Sequence, residues 1–175
     1  MGWLEKSTHL CKTEIMRTPA PRPCSVADAL TVIGEKWSLL VIREIAFGNH
    51  RFDVIARNTG APRDVLTARL RSLESAGVVE KRQYQERPPR FEYHLTQAGR
   101  ELRPVLLGLG QWGERWAPHG ESRAPISYTH ECGHELEIAH TCRACGGDVR
   151  GGRDLTPHFA EGWSPGGAVE TDEAA

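Results

Sequence analysis

The stretch Arg51–Thr96, RFDVIARNTGAPRDVLTARLRSLESAGVVEKRQYQERPPRFEYHLT, decides the fold, because helix, turn, helix and hairpin signals follow one another along it without interruption. In its first part, Phe52, Ile55 and Ala56 have the spacing of a short helix's buried face. Gly60 suits the left-handed conformation that ends such a helix. The sequence therefore predicts a short helix followed by a sharp turn.

A second helix is predicted over residues 62–76. Pro62 fits its first position, where the missing N–H costs nothing, and Leu66, Leu70 and Leu73 follow as one apolar stripe. The opposite face is polar. It can therefore meet solvent or a polyanion.

A β-hairpin follows the second helix. Val78-Val79 begins its first strand, and Tyr93 and Leu95 belong to the alternating apolar face of the return strand. The tip, Gln85–Arg90, contains two prolines and cannot continue either strand. Helix, turn, helix and basic hairpin in this order are the signature of a winged helix, with the wing at residues 84–91.

Length and charge restrict what the chain can be. At 175 residues it has room for one modest core and an appendage. The net charge is −1, yet residues 51–100 hold ten Lys and Arg against six Asp and Glu, whereas residues 121–175 hold four against ten. No apolar run approaches the roughly 20 residues of a membrane helix, and no secretory signal begins the chain, so we expect a cytoplasmic protein without a membrane partner.

No catalytic constellation is recognisable in the sequence. It contains no Gly-rich phosphate loop, no nucleophile elbow and no H-E-x-x-H zinc motif. The single histidines His50 and His94 lie near predicted turns and strands, where structural roles are commoner than catalytic ones. The sequence therefore predicts a binding protein and not an enzyme.

Four segments are predicted. Residues 1–23 are a Pro-rich flexible arm, and residues 24–117 form the winged helix with flanking helices, one of them at Lys36–Ala46. A long helix capped by Thr96 closes this domain, and its broad apolar stripe favours a second chain over packing within its own domain. After a linker, residues 125–150 form a small unit and residues 151–175 a disordered tail. The fold class expected is α+β, mainly α.

The small unit contains a cluster of cysteine and histidine residues. Cys142 and Cys145 form a C-x-x-C-G turn that can direct two thiolates at one ion, and an earlier turn holds Cys132 between His130 and His134. We expect a zinc ribbon with structural Zn bound by His130, Cys132, Cys142 and Cys145, and His134 is the substitute for the fourth ligand. A redox dithiol and an unstructured tail are the alternatives.

Four motifs carry a family resemblance that extends from Cys24 to about Trp116. They are Gly34-Glu-Lys-Trp37, Leu70-Arg-Ser-Leu-Glu74, Pro88-Pro-Arg-Phe-Glu-Tyr93 and Leu95-Thr-Gln-Ala-Gly99. With these motifs the chain resembles the HxlR family of bacterial winged-helix regulators, relatives of the MarR group. This resemblance implies a homodimer, built through the terminal helices, that binds a pseudo-palindromic operator in double-stranded DNA.

The outer face of the second helix is expected to enter the major groove. Arg63 and Arg71 are the candidates for guanine readout, because a guanidinium matches the O6 and N7 acceptors of that base. Other arginines are expected to hold phosphates or, at the wing tip, the minor groove. The predicted DNA-binding residues are Arg51, Arg63, Asp64, Thr67, Ala68, Arg69, Arg71, Arg87 and Arg90.

Cys24 is a candidate redox sensor, since several members of the family carry a redox-active cysteine just before the first helix. A thiol at a helix N-terminus, two residues from Arg22, is expected to form the reactive thiolate readily. The alternative is a small residue with no signalling role.

The sequence thus predicts a dimeric, sequence-specific transcription regulator. Its alternatives are a protein-interaction winged helix without an operator and a metal or thiol sensor acting through the late cysteine and histidine cluster. The signal, whether a small molecule or an oxidant, is left open.

Overall fold

The computed structural model describes residues 22–117, 126–152 and 155–168. Most of the predicted flexible arm, the linker after Ala117, and residues 153–154 and 169–175 of the predicted tail lie outside these residues. The chain divides into a larger unit, Cys24–His158, and a smaller unit whose described residues are 22–23 and 159–168. Within the described ranges, no helix has the length and apolar character needed to cross a membrane.

The larger unit contains six helices and one two-stranded sheet among its described residues. Their order, helix-helix-helix-helix-hairpin-helix-helix, is that of the predicted winged helix. The elements are α1 (Ser25–Ile33), α2 (Lys36–Ala46), α3 (Phe52–Thr59), α4 (Arg63–Ser75), β1 (Val79–Gln85), β2 (Arg90–Leu95), α5 (Gln97–Glu101) and α6 (Arg103–Trp116).

One apolar core holds these elements together. Helix α2 lies at its centre and packs against α3, α4, β2 and α6. The stripe of leucines predicted for α4 is fully buried, as is Ile55 of α3, so the hydrophobic effect fixes the angle at which α4 is presented. The core residues are Ile33, Val41, Ile42, Ile45, Ile55, Ala61, Leu66, Leu70, Leu73, Val78, Val79 and Leu95.

The turn between α3 and α4 has the predicted geometry with one shift. Gly60 has φ 71°, and its N–H donates to the carbonyl oxygen of Ala56, which closes α3. Pro62 is the N-cap of α4 and not its first residue, so that Arg63 begins the helix. The ring restricts φ at the cap as it would at the next position.

The hairpin pairs its strands in antiparallel register. Val79 lies opposite Leu95 at the base, where both are buried, and Gln83 lies opposite Phe91 near the tip. An irregularity between Gln83 and Gln85 disturbs the pairing before the turn. Because only the base is buried, the tip projects from the core.

The single long helix predicted after Thr96 is wrong: the chain forms α5 and α6 with a break at Leu102. Pro104 has no N–H to donate to the carbonyl of Arg100, so the helical ladder is interrupted there. The predicted cap is present, because the Thr96 hydroxyl accepts from the N–H of Gly99 at 3.2 Å. A Cβ at Gly99 would stand 2.2 Å from the Val78 carbonyl oxygen, which explains the glycine.

Residues 126–152 are held by turns and isolated bridges. Thr129 pairs with Glu135 and Thr141 pairs with Asp148, each across one turn. The described residues between the two turns form no named strand, and none of the side chains from 126 to 152 is buried.

The smaller unit has a hairpin where the sequence predicted a disordered tail. Strand β3 (Trp163–Ser164) pairs with β4 (Gly167–Ala168). Within the same unit, the Arg22 guanidinium donates to the Pro165 carbonyl oxygen at 2.8 Å and lies over the Phe159 ring. A charged side chain therefore holds this hairpin without a large apolar core.

Candidate nucleic-acid interface

The outward face of α4 is exposed along its length. Asp64, Ala68 and Arg71 follow at four- and three-residue steps, and all three are exposed, opposite the buried leucines. Thr67 is half-buried, and its hydroxyl donates to the Arg63 carbonyl oxygen at 2.7 Å. The α4 surface therefore presents one acid, one small residue and one arginine outward.

Arg63 connects the two helices of the motif. Its guanidinium donates to the Asp53 carboxylate of α3 at 2.7 Å and lies over the Phe52 ring at 4.8 Å. The side chain remains exposed, so the ion pair contributes little to stability. The contact does orient the guanidinium, which was predicted to read guanine.

Arg71 has the freest position of the predicted base readers. It is exposed, and no carboxylate in the described part of the chain lies within ion-pair distance of it. It lies near Tyr93 of the hairpin: burial and the charge of Glu74 raise the pKa of Tyr93, and the charge of Arg71 opposes that rise. Arg71 therefore stands in the angle between α4 and the wing.

Two of the predicted phosphate binders are engaged within the protein. Arg69 is half-buried, with Nη1 3.8 Å from a Glu35 carboxylate oxygen, so it points towards the turn between α1 and α2. Arg51 pairs with Glu92 of the hairpin at 3.2 Å and lies over the Tyr84 ring. These contacts hold the motif together and leave less of each guanidinium for DNA.

The wing carries exposed cations at its tip. Arg87 and Arg90 are both exposed at the tip. Lys81, which the sequence analysis did not select, lies with its ammonium 4.0 Å from the Phe91 ring centre on the same face of the hairpin as Tyr93. Lys81 is two residues after Val79 in β1, so the strand period places both on one face. This pattern could have identified Lys81 from the sequence.

Arg57 is a second cation missed by the sequence analysis. It is exposed in the last turn of α3. Arg57 follows the buried Ile55 by two residues, which places the two side chains on opposite sides of the helix. The helical period alone could therefore have identified Arg57 as exposed.

A buried carboxylate on α2 links this helix to the helix-turn-helix. Glu44 of α2 is 4% exposed and accepts hydrogen bonds from Arg43, from Asn49 at 2.8 Å and from Asn58 at 2.9 Å. Burial by itself would raise the pKa of Glu44, but the hydrogen bonds from Asn58, Arg43 and Asn49 outweigh it and lower that pKa. The ionised carboxylate thus joins α2 to the following turn and to α3.

The two histidines form a pair at the base of the wing. His50 and His94 stack with ring centres 4.1 Å apart, and His50 Nδ1 is 2.9 Å from the Tyr93 carbonyl oxygen. Burial, the neighbouring His50 and the charge of Arg82 lower the pKa of His94, against the opposing charge of Glu92. The pair joins the start of α3 to the hairpin.

Cys24 is the N-cap residue of α1. Its carbonyl oxygen accepts from the Asp28 N–H at 3.0 Å, while the side chain makes no capping hydrogen bond. The thiol is free and exposed. The candidate sensor is therefore accessible to a reagent.

The predicted zinc ligands are only partly brought together. The Cys142 sulfur is close to Cys145, and the backbone N–H groups of Ala144 and Cys145, with the Cys145 side chain, lower the pKa of Cys142. His130 and Cys132 share the earlier turn, where the Cys132 N–H donates to His130 Nδ1 at 3.3 Å. Within the described ranges, no three His, Cys, Asp or Glu side chains converge on one ion position, so the four residues do not form a tetrahedron.

Exposed apolar side chains lie on α1 and on α6. Each of them has between 49% and 67% of its surface exposed. We call this set of side chains the terminal-helix face. It comprises Val26, Leu30, Val105, Leu109, Trp112 and Trp116.

Comparison with protein families identifies the fold seen here. Residues 32–121, just over half of the chain, match the model of the HxlR-like helix-turn-helix family. The chain belongs to the HxlR family. An uncharacterised HTH-type transcriptional regulator of Mycobacterium bovis is 40% identical over 140 residues, which cover 79% of this chain and 87% of that protein. The predicted resemblance is thereby confirmed.

Solved structures have the same fold. PA1607, described as a candidate transcription factor, has a TM-score of 0.67 and 29% identity, covering 77% of this chain and 94% of its own. The redox regulator HypR in its reduced form has a TM-score of 0.50 and 36% identity, covering 53% of this chain and 92% of its own. This HxlR protein is therefore a helix-turn-helix transcriptional regulator and not an enzyme, as the sequence predicted.

Proposed function

We propose that the protein is a homodimer that reads a pseudo-palindromic operator, with one winged helix in each half-site. The observation that carries this proposal is the exposed outward face of α4, flanked by the basic wing. A helix of 13 residues is about 20 Å long and fits the major groove of B-DNA. In this proposal Arg71 reaches base edges, and Arg87 and Arg90 reach phosphates or the minor groove.

The terminal-helix face supports the dimeric part of the proposal. Its two tryptophans and four aliphatic side chains are exposed on two helices of one domain. A second copy that covers this surface removes its apolar area from water and repeats α4 in a second half-site. An operator with two-fold symmetry follows from a dimer of this kind.

Selection of bound sequences from a random duplex pool tests the proposal. The full chain should enrich an inverted repeat, and affinity for it should fall steeply with salt because phosphate contacts release counterions. A pool without enrichment, together with binding insensitive to salt, would favour the alternative of a winged helix that binds a protein.

Cys24 supports a second element of function, a response to thiol oxidation. The exposed thiol begins α1, two residues before Val26 of the terminal-helix face, so a modification at this position lies beside the proposed dimer contact. HypR, whose reduced and oxidised forms have both been solved, is a redox regulator with the same fold. A mild oxidant should release the operator from the wild type and leave Cys24→Ser bound.

The other cysteines provide the control for this test. Cys132→Ser removes a second exposed thiol that is distant in sequence from α1, and it should respond to the oxidant as the wild type does. Loss of the response in Cys132→Ser with retention in Cys24→Ser would transfer the sensor to the late cluster.

We also propose that residues 126–150 bind structural zinc. The C-x-x-C-G turn supports it, because zinc binds the thiolate and the backbone N–H groups of Ala144 and Cys145 lower the pKa of Cys142. The earlier turn does not support it in the present arrangement, since His130 and Cys132 do not meet the other pair. Zinc measured per purified chain, in the wild type and in Cys145→Ser, tests the proposal.

A further inference from the structure

A cavity of about 630 Å³ lies between α2, α6 and the segment 126–138. Its volume falls within the roughly 300–1,000 Å³ of ligand sites in proteins. Phe47 forms part of one wall, Leu106 part of the second and Leu136 part of the third. The late segment therefore encloses space against the winged helix.

Two glycines of α6 leave this space open. Gly110 and Gly113 line the cavity, and a Cβ built at either position meets nothing within 4 Å. Glycine weakens a helix interior relative to alanine. Since no neighbouring atom requires these glycines, their effect in the structure is to enlarge the cavity.

The cavity is separate from the terminal-helix face. Leu106, Gly110 and Gly113 follow one side of α6, whereas Leu109 and Trp112 belong to the exposed stripe. Successive residues of a helix are turned by about 100°, so the two stripes face different directions. A second copy that covers the exposed stripe leaves the cavity accessible.

The chemistry of the wall indicates what can bind. Most of the lining is apolar, and its ionisable groups are two arginines, Arg43 and Arg103, and two glutamates, Glu114 and Glu135. The formal charges of these four cancel. Gln111 and the Tyr128 hydroxyl add hydrogen-bonding groups. Such a wall is complementary to an uncharged apolar molecule that carries a few polar atoms.

We propose that this cavity binds an uncharged, largely apolar small molecule of fused-ring size. Its position connects it to the DNA-binding motif: Arg43 lines the cavity and also donates to Glu44, whose carboxylate is bonded to Asn58 of α3. A ligand that moves Arg43 acts on this network. The role of the molecule as an effector rests on the proposed operator binding; its binding does not.

Nile red, an uncharged solvatochromic dye, tests the site without DNA. The full-length protein should bind one dye per chain with a blue-shifted emission. Gly110→Leu fills the cavity from α6 and should weaken dye binding by about tenfold or more, a loss of the order expected when a bound apolar ring is excluded. Gly108→Leu is the matched control, because Gly108 is in the same helix, has open space at its Cβ and does not line the cavity.

A second variant changes the opposite wall. Leu136 lies outside α6, and Leu136→Asn should also weaken dye binding. The result then does not depend on how α6 tolerates a leucine. Circular dichroism and the Tm of each variant should match the wild type. Equal affinity in all variants, equal loss in Gly108→Leu, or no binding to the wild type would overturn the proposal, while DNA selection tests the operator independently.

Discussion

The Glu44 carboxylate determines how α2, the following turn and α3 are held together. Glu44→Gln keeps the shape of the side chain but removes its charge and one acceptor. The Asn49 and Asn58 amides donate to one carboxylate oxygen and Arg43 to the other, so the single amide oxygen of glutamine cannot satisfy all three donors. We expect the free energy of unfolding to fall by about 1–3 kcal/mol in denaturant titrations. Glu80 is a half-buried glutamate of the hairpin that pairs with Arg82, and Glu80→Gln should change the free energy of unfolding by less than about 0.5 kcal/mol.

The same carboxylate makes stability depend on pH. Because the folded pKa of Glu44 lies below the ordinary value of 4.5, its contribution is fully present above pH 4.5 and is lost as the pH falls through the folded pKa. The difference in unfolding free energy between the wild type and Glu44→Gln should therefore shrink in acid. A difference that stays constant from about pH 6 to about pH 3 would contradict this assignment.

Arg71 is the arginine on α4 from which base readout is expected. Arg71→Ala should lower affinity for the selected sequence by about 1–3 kcal/mol and affinity for random DNA much less. Arg69→Ala is the control on the same helix, since Arg69 points towards Glu35, and it should leave the ratio of the two affinities unchanged. Affinities are measured by fluorescence anisotropy. If Arg71→Ala lowered the affinity for both DNAs equally, Arg71 would not read bases.

Sequence alone could place most of these arginines on the right element but could not assign their partners. The helical period predicted that Arg71 lies opposite the leucine stripe and Arg63 on its flank, and both side chains are exposed. The Arg63 pair with Asp53 and the Arg51 pair with Glu92 join residues that are distant in the chain. Such pairings depend on how the elements pack, which a local period does not contain.

Individual helices and strands could be predicted where one strong local signal determined their bounds. The bounds of α2 agree with the prediction, because a glycine precedes it and its apolar period is unbroken. The break at Leu102 was missed, although Pro104 signals it, since the apolar stripe continues across the break. Apolar periodicity indicates which side of a helix is buried. It does not indicate whether the backbone hydrogen bonds of that helix are continuous.

The wing is an element whose contribution to binding should be electrostatic. The double variant Arg87→Ala, Arg90→Ala removes two exposed cations from its tip, where few contacts stabilise the fold. We expect affinity to fall alike on operator and random DNA. Because the proposed dimer loses two cations from each of its two wings, the slope of log affinity against log salt should become shallower by about 4. Arg115→Ala, an exposed arginine on α6, should leave the slope unchanged.

At the scale of the whole molecule, the part after Ala117 was the least predictable. The late cysteines suggested a zinc ribbon, whereas the described residues form two turns whose ligand candidates do not converge. The cavity against α2 and α6 could not be foreseen, because it depends on where a segment with little regular structure folds back. Composition identifies the chemistry such a segment carries but not its position.

The terminal-helix face should decide the oligomeric state. Leu109→Asn places an amide in the middle of the apolar face, where a partner chain would have to bury it without a matching group, so we expect dissociation to the monomer. Leu155→Asn is the matched control: Leu155 is 54% exposed against 49% for Leu109, and it is not part of this face. Sedimentation equilibrium should give a dimer for the wild type and for Leu155→Asn and a monomer for Leu109→Asn. Affinity for the selected inverted repeat should fall in parallel with dimer content, whereas dimeric Leu109→Asn would mean that the face serves another partner.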